Sequence, residues 1–348
     1  MGIPAETFAT DALFQPLKLG RIEVANRMAM APLTRSRAND ALEPTDMVVE
    51  YYRQRAGVGL IIAEATQISA TAQGYTHTPG IHTPGQIAAW KQVTDAVHAK
   101  GGKIFVQLWH TGRMSHNAFQ PNQQAPVAPS AIAPKAKTYI VGQGYVDCAV
   151  PRALETAEIA GVVNDFRQAA ANAIAAGFDG VEIHGAHGYL IDAFLRDGSN
   201  HRTDAYGGSI ENRARFLLEV MAAVTQEIGA DRTGIRLSPV SPVNDSSESN
   251  PQPLFEHVVR ELEKLHPVYI HVVEGHTGGP RDNAPFDYEA LRRLYSGIWM
   301  VNNGYTKEMA VEALRSGRAD MVSFGRAMIT TPDLPRRFRD NLPLNEPF

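Results

Sequence analysis

Cysteine is almost absent from this sequence: Cys148 stands alone in 348 residues. That excludes an intrachain disulfide, an iron–sulfur cluster held by several thiolates and a Cys-rich zinc site. There is no run of the ~18 apolar residues needed for a membrane span. The opening MGIPAETFATDALF has no basic region followed by an apolar core, so neither secretion nor membrane insertion is expected. Charge of one sign never accumulates either. No block of about five or six like charges occurs, and the formal net charge is −4, which gives no footprint for nucleic acid or anionic lipid. The expectation is a cytoplasmic protein in a reducing setting, with small molecules as partners. Its oligomeric state, monomer or homo-oligomer, stays open.

Hydrophobic residues make up 44% and charged residues 20% of the chain, the composition of an ordinary globular protein. Short β-rich apolar runs alternate with amphipathic stretches: RMAMA at 27, GLIIAEA at 59, KIFVQLW at 103, DGVEIH at 179, TGIRLS at 233, VYIHVV at 268, IWMVN at 298 and MVSFG at 321. The segments between them read as helices. Thr83, Pro84 and Gln86 form a capping box with proline at the first helical position, Ile87, Trp90, Val93 and Val97 line one face, and Gly101 terminates. Helical spacing recurs from 155 to 177 and again at Val220, Val224 and Ile228 before Gly229. Eight β-then-α units with strands apolar on both faces predict a (β/α)8 barrel, an α/β fold occupying 1–348 as a single domain. A doubly wound sheet is the alternative, but no G-x-G-x-x-G follows the first strand. Residues 13–24 read as a hairpin plugging the barrel bottom, and the Pro- and Gly-rich excursion 111–152 as a cap over the mouth.

Chemistry in such a barrel sits at the C-terminal strand ends. Those ends deliver Thr34, Ala65, Gln107 with Trp109, then His184, His187 and Tyr189 from HGAHGYL, Arg236, NNGYT and FGRAM. The two histidines, neutral or cationic, can polarise a substrate oxygen, and a phenol with an ordinary pKa of ~10 still holds a proton to donate. Asn303 and Gly304 are read as the start of a helix, Gly325 as a place of close backbone approach and Arg326 as a bidentate fork, together the usual phosphate site after strands seven and eight. Gln107, Arg236 and Thr34 supply an amide, a permanent cation and a hydroxyl, a set that suits a flavin.

NRMAMAPLTRSRA, AEATQIS, QLWHTGR, HGAHGYL, NHRTDAYGGSIENRARF, GIRLSP and SFGRAMI, in that order and spacing, resemble the old yellow enzyme family of FMN-dependent ene-reductases over nearly the whole chain. The resemblance implies FMN bound by Pro32, Thr34, Ala65, Gln107, Arg236, Asn303, Gly304, Gly325 and Arg326. It implies hydride from NADPH or NADH stored on the flavin and passed to an activated alkene, with a carbonyl or nitro oxygen held by His184 and His187. Tyr189 would then act as proton donor, and Tyr75 and Trp109 as aromatic pocket walls. Three departures stand out. Relatives continue in a Gly-rich, Tyr-containing tail bordering the pocket, whereas this sequence reads LNEPF to Phe348, so a wall is expected to be absent or supplied by a neighbouring subunit. Asn303 stands where many relatives place glycine. The loop 239–253 is unusually polar, which leaves substrate scope open. Two other classes compete: a metal-dependent hydrolase, with His184 and His187 joined by Asp192 or His201, and a flavin-binding barrel without turnover. Schiff-base chemistry would need a lysine ending a strand, and Lys103 begins one.

Overall fold

The computed structural model describes residues 11–346; most of the N-terminal stretch read above for targeting, and Phe348, lie outside them. All eight expected strands are present: β1 (Met28–Met30), β2 (Leu60–Gln67), β3 (Ile104–Trp109), β4 (Gly180–Gly185), β5 (Thr233–Leu237), β6 (Tyr269–Val273), β7 (Ile298–Asn302) and β8 (Met321–Phe324). Each pairs in parallel with its sequence neighbours and β8 closes on β1, making a closed barrel. Every residue of β2 through β6 is buried. That is why these strands read as continuous apolar runs rather than alternating ones: helices cover the outer face and side chains fill the inner.

The helix between β2 and β3 runs Pro84–His98, with the Thr83 side chain accepting from the Gln86 amide and Trp90, Val93 and Val97 buried. The stretch after residue 155 forms Thr156–Ala175, and the one ending at Gly229 begins as early as Ile210. The predicted hairpin is shorter than the 13–24 pattern. Leu17–Leu19 pairs antiparallel with Ile22–Val24, while Asp11–Phe14 is a separate 3-10 turn. Leu19 and Val24 pack with Ala29, Leu60, Ile62, Phe105, Tyr269, Met300 and Met321 to close the barrel floor.

One residue too many in β2 has a functional consequence. The register against β3 shifts between Ala63 and Thr66, a bulge that re-aims side chains. Ala65 thereby lines the cavity at the barrel mouth, while the Glu64 carboxylate accepts from the Tyr52 hydroxyl at 3.3 Å and the Arg35 amide at 3.1 Å. Burial, the largest cause, pushes the Glu64 carboxyl up to about 7. The folded protein therefore keeps a proton that the unfolded chain releases near 4.5, so stability falls as pH rises from there to about 7 and is flat above. At ~1.4 kcal/mol per unit the loss is about 3 kcal/mol. Glu64→Gln keeps an acceptor for Arg35 and escapes that loss. Denaturant unfolding is expected to show it more stable than the parent at pH 8 by about that amount, with the gap closing towards pH 4.5; a gap independent of pH would refute a titrating Glu64.

The excursion 111–152 carries a hairpin, Lys137–Ile140 with Gly144–Asp147. Hydrogen bonds from Ser115 to Gln73, from Thr138 to Gly74 and from Thr76 to Tyr139 tie it to the segment bearing Tyr75. Arg113 donates to the Asp245 carbonyl at 2.7 Å, which joins the same excursion to the polar loop 239–253. Cys148 is buried there, and burial pushes its thiol up to about 11. No helix among the described residues is long and apolar enough to cross a membrane.

Candidate active site

A cavity of about 440 Å³ opens at the C-terminal ends of the strands, within the ~300–1,000 Å³ usual for cofactor and substrate pockets. Its walls bring together Pro32, Thr34, Ala65, Gln107, Trp109, His184, His187, Tyr189, Arg236, Asn303, Gly304, Gly325 and Arg326. These are all the flavin- and substrate-site residues singled out from the sequence except Tyr75; the alternative metal ligands Asp192 and His201 do not line it. Tyr75 stands directly behind them, its ring stacked on Trp109 at 5.7 Å and its hydroxyl 3.1 Å from that of Tyr189.

The rings form one block. Trp109 lies parallel to His184 at 6.1 Å, Tyr189 meets both edge-on at 4.8 and 4.9 Å, and His187 meets His184 edge-on at 5.5 Å. This block is built by the turn after β4. His187 and Gly188 take positive φ of 61° and 72°, and the Gly188 amide donates to Asp192, which also pairs with Arg196. Arg196 in turn donates to the Ser238 and Pro239 carbonyls, so the turn is braced against the end of β5. Burial, reinforced by the Arg236 charge, holds both imidazoles well below their ordinary range. Of the two protonation states allowed by the sequence, the fold therefore selects the neutral one. Burial also raises the Tyr189 phenol, so it holds its proton at neutral pH. Thr277, not found from the sequence, has its hydroxyl 2.8 Å from His187 Nε2 and fixes the ring. It sits beyond β6, a strand whose end offered no recognised motif.

Beside this block, Arg236 being the register neighbour of His184, lie groups suited to a charged, planar ligand. Arg236 is buried, donates to Asn302 Oδ1 at 2.8 Å, and leaves its Nε without a partner. His184 Nδ1 and Trp109 Nε1 are likewise buried and unpaired. Such orphaned polar atoms cost stability unless a ligand meets them. At the far end, a Cβ on Gly304 would meet nothing within 4 Å and one on Gly325 only Leu33 at 3.6 Å, so the absent side chains leave an open cradle. Arg326 is exposed at the start of the short helix Arg326–Thr330 with no acidic partner among the described residues.

One expectation is corrected here. Asn303 and Gly304 do not begin a helix: they form a turn with φ of 108° and 67°, and the helix Lys307–Arg315 starts after the Thr306 cap. The Asn303 amide donates to the Glu274 and His276 carbonyls and accepts from the Gly278 amide. Its side chain is committed to that loop, and the backbone of 303–305 is the part left to meet a ligand. Among the described residues no three His, Cys, Asp or Glu side chains converge as a metal site, and Asp192 is held by Arg196.

A closed parallel barrel whose mouth joins a buried, incompletely paired cation to an imidazole–phenol cluster defines a flavin-type (β/α)8 oxidoreductase. Residues 12–345 match the model of the NADH:flavin oxidoreductase / NADH oxidase family, and the chain belongs to that family. It is 48% identical over 341 residues to putative 12-oxophytodienoate reductase 11 of Oryza sativa subsp. japonica, covering 97% of this chain and 93% of that protein. Among solved structures, morphinone reductase in complex with tetrahydroNAD superposes with a TM-score of 0.91 at 46% identity, covering 97% of this chain and 92% of that one. The old yellow enzyme homologue from Zymomonas mobilis gives 0.93 at 43%, covering 96% and 94%. The resemblance to the old yellow enzyme family thus holds, and with it an FMN-dependent oxidoreductase.

Proposed function

We propose that this protein is an NAD(P)H-dependent ene-reductase acting on small α,β-unsaturated carbonyl or nitro compounds, with residues 1–348 one FMN-binding barrel and 111–152 its cap. The observation that carries this reading is a neutral imidazole, His184, packed edge-on against both a second neutral imidazole, His187, and a protonated phenol, Tyr189, in the cavity wall. Relatives named for reducing 12-oxophytodienoate and morphinone, and the tetrahydroNAD complex of the latter, support it.

FMN fits the donor set flanking that cluster. Gln107 and Arg236 would hold its heterocycle, Thr34 would offer a hydroxyl to its redox end, and Pro32 and Ala65 would pack against it. The Asn303 and Gly304 backbone, Gly325 and Arg326 would cradle its phosphate. When bound, FMN would supply hydride storage and transfer between the reduced nicotinamide and the alkene, the two half-reactions sharing one cavity as a ping-pong cycle.

His184 and His187 hold the substrate oxygen and donate to it as negative charge grows there, with Thr277 keeping the His187 ring in place. Tyr189 gives its proton to the α-carbon, and the Tyr75 hydroxyl at 3.1 Å supports the phenolate left behind. Trp109, stacked between Tyr75 and His184, keeps the block rigid and water out. The test is an anaerobic absorbance titration with NADPH followed by 2-cyclohexenone. A bound yellow flavin should bleach and then recover; a protein that stays colourless after incubation with FMN refutes the reading. In Tyr189→Phe, flavin reduction by NADPH should be unchanged and enone turnover should fall at least ~10-fold, the lower end for an acid that solvent partly replaces. Full retention of the enone rate would remove Tyr189 from the proton transfer.

A further inference from the structure

Below the cavity a chain of polar side chains crosses the barrel interior, and the reaction described above uses none of its middle members. Gln107 Nε2 donates to Glu182 at 2.8 Å, and the other Glu182 oxygen lies 2.8 Å from His271 Nδ1. His271 Nε2 is 2.7 Å from the Ser323 hydroxyl. The Ser323 carbonyl accepts from Asn302 at 2.9 Å, and Asn302 Oδ1 accepts from Arg236 at 2.8 Å. Six residues on the six consecutive strands β3 to β8 thus form one continuous path whose two ends, Gln107 and Arg236, both face the cavity. Glu182 and His271 are fully buried and do not line it.

The bond directions from Gln107 to the Ser323 hydroxyl follow from Glu182, and those from the Ser323 carbonyl to Arg236 from a carbonyl that only accepts and a guanidinium that only donates. A carboxylate can only accept, so Glu182 requires the amide NH2 of Gln107 to turn down towards it and His271 to carry its proton on Nδ1. Burial keeps His271 neutral, so its Nε2 accepts from Ser323. The Gln107 carbonyl is thereby left for the cavity, where it can only accept. An amide free to rotate would present donor or acceptor indifferently. The same carboxylate is the foremost charge opposing the desolvation of Arg236.

We propose that Glu182 and His271 are a positioning pair: they fix the Gln107 carbonyl towards the ligand, and the Glu182 charge sets how strongly Arg236 favours reduced over oxidised FMN. This rests on FMN occupying the Gln107–Arg236 wall as proposed above. Buried polar networks impose such geometry where their members are satisfied, as the four between Gln107 and Arg236 are, and a negative charge near the cation weakens its pull on an anionic ligand.

Glu182→Gln is nearly isosteric. Its carbonyl still accepts from Gln107 and its NH2 can donate to His271 in the other tautomer, so only the charge is lost. The ratio of dissociation constants for oxidised and reduced FMN should then shift at least ~10-fold towards the reduced form, read as a midpoint potential raised by about 30 mV for a two-electron couple. Melting of the apoprotein should be unchanged. Glu182→Leu removes the acceptor as well, and its affinity for oxidised FMN should fall at least ~10-fold. Parental midpoint and FMN affinity in Glu182→Gln overturn the charge assignment and, if Glu182→Leu also binds FMN like the parent, the orientation assignment too. Should Glu182→Leu not fold, Glu182→Gln decides the charge assignment, and Glu182→Ala, read by the same FMN titration, decides the orientation assignment. A parent protein that takes up no FMN in the same titration would overturn the flavin placement itself, a result distinct from parental binding with an unresponsive variant.

Discussion

His184→Ala combined with His187→Ala is expected to leave FMN bound and NADPH-driven bleaching intact, while reoxidation by 2-cyclohexenone slows by ~10²-fold or more. Loss of one preorganised donor to a developing oxyanion typically costs ~10²- to 10³-fold. Here both imidazoles line the same cavity, and neither is among the residues expected to hold FMN, although His184 is the register neighbour of Arg236. The pH dependence is part of the same expectation. Burial and the neighbouring Arg236 hold both rings well below their ordinary range, so neither titrates between pH 6 and 9. Reoxidation by the parent should show no imidazole inflection there. Stopped-flow absorbance resolves the two half-reactions. Unchanged reoxidation in the double variant would sink the oxygen-clamp assignment, and a slowed bleaching step would mean that the same rings also engage the nicotinamide.

Arg236→Met should separate binding from stability. The guanidinium is buried, makes one hydrogen bond to Asn302 and leaves Nε unpaired. A buried cation of this kind is costly until an electron-rich ligand meets it, whereas an apolar chain of similar length is not. The apoprotein of the variant should therefore melt at the parental temperature or above it. FMN affinity should fall by ~10- to 100-fold, the worth of a charge-assisted hydrogen bond. Calorimetric melting of the apoprotein and a fluorescence titration with FMN give the two numbers. A lower melting temperature together with unchanged FMN affinity would make Arg236 a structural residue of β5 and remove it from the flavin site.

The strand positions of the site residues were legible because strands buried on both faces read as apolar runs, and a polar residue at the end of one has few roles. Gln107, His184 and Arg236 stood out in this way. Thr277 did not, since it lies in a loop whose sequence carries no period and whose contact with His187 spans 90 residues. Asn303 was placed at a helix start because asparagine and glycine before an amphipathic stretch resemble one. Four hydrogen bonds between its side chain and the loop 274–279 hold it in a turn instead. Glu182 and His271 were visible as polar residues inside apolar strands, yet nothing in either strand names a partner 89 positions away.

Taken by itself, the sequence determined the eight β-then-α units, the floor hairpin and the residue types delivered to the barrel mouth, because periodicity and strand ends are local properties of the chain. Only the tertiary structure decided which of those residues meet, which imidazole and phenol protonation states burial selects, where the bulge at Ala63–Thr66 re-aims Glu64 and Ala65, and that a polar path joins Gln107 to Arg236. These depend on desolvation and on contacts across a closed barrel, and both arise only when strands distant in sequence share one interior.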